Sequence, residues 1–570
     1  MPQITSTWKA ITRGAIVLII LALLPFQPVG VKTVQAASGC AAGKVCTFLP
    51  ILTKQINPTG DLQITSVEVT QAIQTAANDV PLVAGRSTML RIYAQGQEAL
   101  PAGSANVNVA ISANPVGPAM SSTPLEVVSP LQAAPSRSVY ASTINVALPA
   151  AWTTGSYDLT VTIDPQNQVP EGNEANNSYV LHLAFTTVPA LRLKIVPVRY
   201  THTDGHTYPA PSQDSISGWI MRTFPLSQVE ISWHAAYNFT GNMKDVASFS
   251  TLLSQINTLK KNENAPADQV YYALVPTSDG SLSWFSGGVV GIGYVGSRTA
   301  VGLDYYNGGL TAAHEIGHNL GRQHAPCGGV SSSDPAFPYA GASIGEYGLD
   351  LVTNQVYTPE IGRDLMSYCS PKWVSDYTYR ALLQAQIDST AAAAPAASME
   401  PAQVLMIRAQ VGPDGAQLAP VYAGESLPDA PAPGSPYYVQ LIGMDGQVLA
   451  EQPVQVLEIA AEAGGLPSYE IQANLARPDG TVREVRLLKA GQVITSGQLL
   501  DGTQTAALHM NAATLTGTAP FSGPAQVRYS LDGGATWTIL AMDVDAGSFD
   551  LAGTGLPENA LVEILPALTK

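Results

Sequence analysis

HEIGHNLGRQH, residues 314–324, gathers three of the chain's eight histidines. His314 and His318 stand four apart, so on a helix their rings leave the same face. Two imidazoles so placed can bind one zinc ion. Glu315 follows the first of them and can reach a water held at the metal without being a ligand, which suits a general base. Gly321 comes three residues after His318, where a glycine lets the chain turn through a left-handed conformation and leave the helix. That turn brings His324 back as a third nitrogen ligand and leaves a position open for water. The stretch predicts one catalytic Zn2+ held by His314, His318 and His324 on a helix and the turn that ends it.

The rhythm around this stretch is strand and helix in alternation. LRLKIVPVRY (191–200), VEISWHAAY (229–237) and QVYYALVP (269–276) read as strands, with helices expected at 215–224 and, from its amphipathic spacing, at 244–261. This order implies an α/β unit with mostly parallel pairing. The Gly-rich run SGGVVGIGYVGSRTAVGLD (286–304) reads as a bulged edge strand. Upstream, from Asp61 to about Ala190, short β segments alternate with turns; Tyr157, Leu159, Val161 and Ile163 alternate with polar residues as a half-buried strand does. That pattern suggests a β-sandwich. Downstream, an Ala/Pro break at 389–398 leads into further β patterning with Asp-Gly turns at Asp445 and Asp532.

The eleven-residue zinc stretch resembles the signature of the metzincin metalloproteases. The resemblance covers residues 191–388 and implies a methionine turn beneath the metal, for which DLMSYC (364–369) offers Met366. It also implies a tyrosine near the ion, Tyr368, that stabilises the oxyanion, and an edge strand within 287–303 that aligns substrate by strand addition. Ala325 follows the third histidine where two branches of the family carry an acid, so the subfamily is unresolved. The resemblance further implies that Cys327 and Cys369 approach the zinc from opposite ends of one subdomain, where a disulfide would staple the wall of the site. A second resemblance lies in TIDPQNQVPEGNEANNSYVLHL (162–183) and LVAGRSTMLRIYA (82–94), which are similar to the bacterial cell-adhesion-related domain, an immunoglobulin-like module. Asp164, Asn167, Glu171, Asn173, Glu174 and Asn176 in its loop read either as a polar turn or as ligands for Ca2+.

The rest of the chain bounds these readings. Its 570 residues carry a net charge of −16, with 12% charged and 46% hydrophobic residues. The acidic balance argues against nucleic-acid partners, and the hydrophobic share excludes general disorder. Lys9, Arg13, the apolar run Ala15–Leu24 and the small residues before Ala36 form the pattern of a secretory signal peptide. Four cysteines then fit an oxidising compartment and allow three pairings. Cys40–Cys46 with Cys327–Cys369 is the expected set; a lipid anchor on Cys40, giving a cell-surface lipoprotein, and a zinc-binding inhibitory cysteine are the alternatives. HTDGH (202–206) reads as a surface loop or a wall of the substrate site.

The expected organisation is therefore a signal peptide (1–36), a linker (37–58), an immunoglobulin-like sandwich (59–190), an α/β metzincin-like catalytic domain (191–388), an Ala/Pro linker (389–400), a β-sandwich (401–503) and a fibronectin- or immunoglobulin-like β domain (504–570). The expected function is that of a secreted zinc endopeptidase acting on a polypeptide or glycoprotein, with possible contact to a cell surface or cell wall through the sandwiches. The alternative is an adhesion protein that keeps a protease-like fold without catalysis.

Overall fold

The computed structural model describes residues 61–569 apart from 97–105, 118–119, 132–133, 170, 331, 393–399, 461–467, 501–507, 512–522, 547–548 and 550–555. The signal-peptide pattern, the linker at 37–58, Cys40, Cys46 and most of the Ala/Pro linker lie outside the described residues.

Alternating burial builds the N-terminal sandwich. In Ser156–Ile163 the side chains of Tyr157, Leu159, Val161 and Ile163 are buried while their neighbours are not. A three-stranded sheet (Leu62–Thr70, Met89–Gly96, Ile144–Ala147) faces a five-stranded one that contains this strand. Trp152 meets Tyr157 edge-on in the core between them. The sandwich is bolted to the chain that follows. Arg86, almost fully buried, donates from its guanidinium to the carbonyls of Leu226 (2.8 Å) and Arg222 (3.0 Å). Trp373 donates its indole N–H to the Ala72 carbonyl at 2.8 Å, and Ile73–Gln74 pair as a short strand with Tyr347–Gly348.

The next unit centres on β1 (Leu191–His202), which runs parallel to Val229–Trp233, to Tyr237–Gly241 and to β2 (Val270–Pro276). β2 is buried at every residue, as a strand covered on both faces must be. The Gly-rich run forms a hairpin: β3 (Gly291–Val295) lies antiparallel to β4 (Thr299–Asp304), which is parallel to β2. Helices α1 (Ser217–Thr223), α3 (Gly308–Asn319) and α4 (Asp376–Ala392) pack one face through Ile220, Ala312, Ile316 and Leu382. Helix α2 (Val246–Asn262) packs the other through Phe249, Leu253 and Ile256.

The expectation of an α/β metzincin-like catalytic domain flanked by separate sandwiches is overturned. The chain is mostly β-sandwich, with four α-helices among the described residues. The sheet does not stop at the Ala/Pro break. It continues from β3 through β6 (Val456–Ile459) and β7 (Ser468–Ala476) to β5 (Ala402–Gly412), twelve strands in all. Val404, Met406, Leu457 and Ile459 enter the same core as α2 and β1. The expected edge strand is a second miss, because β6 pairs with its far half at Tyr294 and Val295. Glycines and a downstream turn look like a free edge when the pairing partner is more than 150 residues away. Beyond this sheet, Tyr437–Gly443, Val448–Pro453, Val482–Lys489 and Gln492–Gln498 form a four-stranded sheet, and the C-terminal strands form another.

One close approach decides how α3 sits on the sheet. Gly291 and Gly302 are direct cross-strand partners. A Cβ on Gly302 would fall 1.8 Å from the Tyr272 hydroxyl, and one on Gly291 would fall 2.6 Å from Glu315 Oε1. The pair leaves a slot that a phenol and a carboxylate fill. Gly302→Ala is expected to cost about 1–3 kcal/mol by overpacking. The Tyr272 hydroxyl is buried and has no hydrogen-bond partner among the described residues, so Tyr272→Phe alone should be neutral or stabilising. The double variant should recover part of the loss in urea unfolding; a double variant no more stable than Gly302→Ala would refute the steric account.

Candidate metal centre

Helix α3 carries His314, Glu315 and His318, and all three are nearly inaccessible. The helix ends at Leu320, and Gly321 takes φ +81°, the left-handed region where a Cβ is disfavoured. The chain then doubles back and sets His324 against the same spot. His318 Nε2 lies 3.2 Å from His314 Nε2 and 3.2 Å from His324 Nε2. Among the described residues, these three are the only group of His, Cys, Asp or Glu side chains close enough together to hold an ion.

The tautomers follow from the second ring nitrogens. His314 Nδ1 is 2.9 Å from the Leu365 carbonyl, and His318 Nδ1 is 2.6 Å from the Arg322 carbonyl. A carbonyl only accepts, so each Nδ1 carries the proton and each Nε2 presents a lone pair. Lone pairs facing one another at this distance repel unless a cation lies between them. A tetrahedral zinc with Zn–N bonds of about 2.0–2.1 Å sets its nitrogens roughly 3.3 Å apart. The donor set, the spacing and the orienting carbonyls therefore fit zinc. Burial, reinforced by His318, Lys372 and His324, pushes the His314 pKa well below its ordinary value and keeps the ring in the neutral form that binds metal.

Met366 lies beneath the helix, where a Cβ on Gly317 would come within 2.5 Å of its sulfur. The Met366 carbonyl accepts from Ala325 N–H at 3.0 Å, which ties this floor to the segment after His324. Asp364 holds the turn itself: its buried carboxylate accepts from Met366 N–H (2.8 Å) and Ser375 N–H (3.0 Å). Tyr368 brings its hydroxyl to 3.3 Å from His324 Nε2. Cys327 and Cys369 are joined by a disulfide with Cα atoms 5.7 Å apart, closing a long loop that spans the site. Replacing both by alanine is expected to cost about 2–4 kcal/mol, because the open chain regains the freedom of that loop. Guanidinium unfolding of the oxidised protein and of the double variant measures it; equal midpoints would refute it.

Sequence reasoning singled out the three histidines that the fold brings together and missed the groups that orient them. The carbonyls of Leu365 and Arg322, the Asp364 carboxylate and the Gly291–Gly302 slot carry no local signal, apart from an acid two residues before Met366. The other candidate clusters go elsewhere. His206 Nε2 pairs with Asp279 at 2.8 Å, and His202 Nδ1 lies 3.3 Å from Asp204, away from the triad. In the 164–176 loop, Asp164 accepts from the backbone of Gln168 and Val169, and Glu171 accepts from Leu62 N–H and the Asn177 amide.

Comparison with known proteins bears on the other end of the chain. Residues 59–181 match the CARDB family. This stretch is a CARDB domain. The CARDB domain of a Pyrococcus furiosus protein, in complex with di-metal ions, is similar at 15% identity, covering 22% of this chain and 89% of that one with a TM-score of 0.16. A domain of a candidate cell surface protein from Methanosarcina acetivorans is similar at 21% identity, covering 22% and 91%, also with a TM-score of 0.16. No curated protein matches the chain. The CARDB match ends before β1, and the comparisons support no metzincin family for residues 191–388.

Proposed function

We propose that this chain is a zinc-dependent hydrolase of peptide bonds that acts outside the cell on a polypeptide or glycoprotein. The observation that carries the reading is the convergence of three imidazole nitrogens, with Glu315 on the same helix and buried beside them. Zinc, when bound, supplies a Lewis acid that polarises a carbonyl and acidifies a water. His314 and His318, whose Nε2 lone pairs the carbonyl bonds turn inward, would hold it together with His324. Glu315 takes the proton of the attacking water and returns it to the leaving amine. Tyr368, beside His324, donates to the oxygen on which charge develops. The CARDB domain, a cell-adhesion-related module, supports an extracellular or surface location and contact with a surface partner.

That same domain favours a second reading: an extracellular binding protein in which the metal only braces the fold. Casein and surface glycoproteins, offered to the zinc-loaded protein with and without a chelator, separate the two. Cleavage that stops with chelation and returns with zinc supports hydrolysis. A folded, zinc-loaded protein inert on every substrate leaves the binding reading.

A further inference from the structure

We infer that Asn319, Glu470 and Gln472 are positioning residues of the metal centre: a closed ring of buried hydrogen bonds ties the last turn of α3, which carries His318, to strand β7 of the C-terminal half. The inference rests on the reading of the three histidines as a metal centre and concerns what holds one of them in place.

Strand β7 buries both of its faces, and the two differ in kind. Ile471, Ala473 and Leu475 point into an apolar core. Glu470, Gln472 and Asn474 alternate with them on the opposite face and are buried as well. Polar side chains placed there cost stability unless each finds a partner. Gln472 finds two: its Oε1 accepts from the Asn257 amide of α2 at 2.8 Å, and its Nε2 donates to Glu470 Oε1 at 2.7 Å. From there the bonds run along two arms to one side chain. On the first arm, Asn257 Oδ1 accepts from the Thr299 hydroxyl at 2.9 Å, and the Thr299 carbonyl accepts from Asn319 Nδ2 at 2.8 Å. On the second, Glu470 accepts from the Tyr294 hydroxyl, and the Tyr294 carbonyl accepts from Asn319 Nδ2 at 3.0 Å. All six residues are nearly inaccessible.

Asn319 is the last residue of α3 and follows His318 directly. The turn between β3 and β4 grips the same place, since Gly296 N–H donates to the His318 carbonyl at 2.8 Å. Main-chain bonds within α3 keep its shape but do not fix how its end sits on the sheet; the two bonds from Asn319 do. His318 Nε2 lies 3.2 Å from each of the other two Nε2 atoms, so a shift of this last turn changes both spacings at once. The ring makes the C-terminal strands part of what sets those spacings.

The zinc dissociation constant of the full chain, read by competition with a chromophoric chelator, tests this. Gln472→Leu keeps much of the volume and breaks both bonds; Tyr294→Phe removes a single hydroxyl. Each is expected to weaken zinc binding roughly tenfold, the loss typical of a group that orients a metal ligand. Asn319→Ala should do the same, and combining it with Gln472→Leu should cost no more than Asn319→Ala alone, because both cut one ring. Val404→Ala is the control: it thins the core around α2 without removing a side-chain hydrogen bond, and should lower the melting temperature while leaving the zinc constant unchanged. Hydrogen exchange of the amides at 317–321 in the metal-free protein is the second readout, and should quicken in Gln472→Leu but not in Val404→Ala. Wild-type zinc affinity in Gln472→Leu and Tyr294→Phe, additive losses in the double variant, or an equal loss in Val404→Ala would overturn the inference. A wild type that takes no zinc, with exchange still quickened only where the ring is cut, would keep the ring and remove the metal reading instead; unchanged exchange would remove the ring.

Discussion

Glu315→Gln protein is expected to bind one equivalent of zinc as tightly as the wild type and to cleave peptides on the order of 10²–10⁴-fold more slowly. Glutamine keeps the shape of the side chain in the slot at Gly291 but cannot accept a proton. The three histidines and their carbonyl supports are untouched, so metal content should not change. Zinc stoichiometry by mass spectrometry of the native protein, alongside initial rates on a quenched peptide, checks both halves. A variant that cleaves at the wild-type rate would remove Glu315 from the chemistry. A variant that loses zinc would make it a structural support of the metal instead.

The second large effect concerns the ion itself. The Nε2 of His318 is the shared neighbour of those of His314 and His324, 3.2 Å from each. His318→Ala leaves two nitrogens, too few for a stable site, and should lose the stoichiometric metal. In the wild type, zinc at about 100 times its dissociation constant adds roughly 2.7 kcal/mol of stability, because the folded chain alone presents the three nitrogens together. The melting temperature should therefore rise with zinc in the wild type and stay flat in His318→Ala. A zinc-dependent rise of equal size in both would mean that the metal binds somewhere else.

The contrast between what the sequence disclosed and what it hid has a physical basis. The convergence of the three histidines is legible because its geometry is local: a four-residue spacing fixes one helix face, and a glycine fixes the turn. The CARDB domain was legible for a related reason, since alternation such as Tyr157, Leu159, Val161 and Ile163 records burial directly. The covered edge of β3 was not legible. Whether Tyr294 has a strand partner depends on Ile459, and no periodicity in either segment points to the other. The fold class failed at the same joint. Residues that read as a separate C-terminal sandwich, Val404 and Leu457 among them, supply part of the core beneath α2. Tyr272 was hidden in a third way: its all-buried strand announces packing, while its hydroxyl lies in a slot that only the fold creates.

The buried Arg86, the Trp373 indole and the short strand at Ile73–Gln74 make the CARDB domain a fixed abutment of the half that carries the three histidines. It cannot trail behind as a flexible tether. Anything held on it would be presented to the three histidines at one set angle and reach, like work clamped to the bed of a lathe. Severing the chain near residue 190 would leave two raw faces, each shaped for the other.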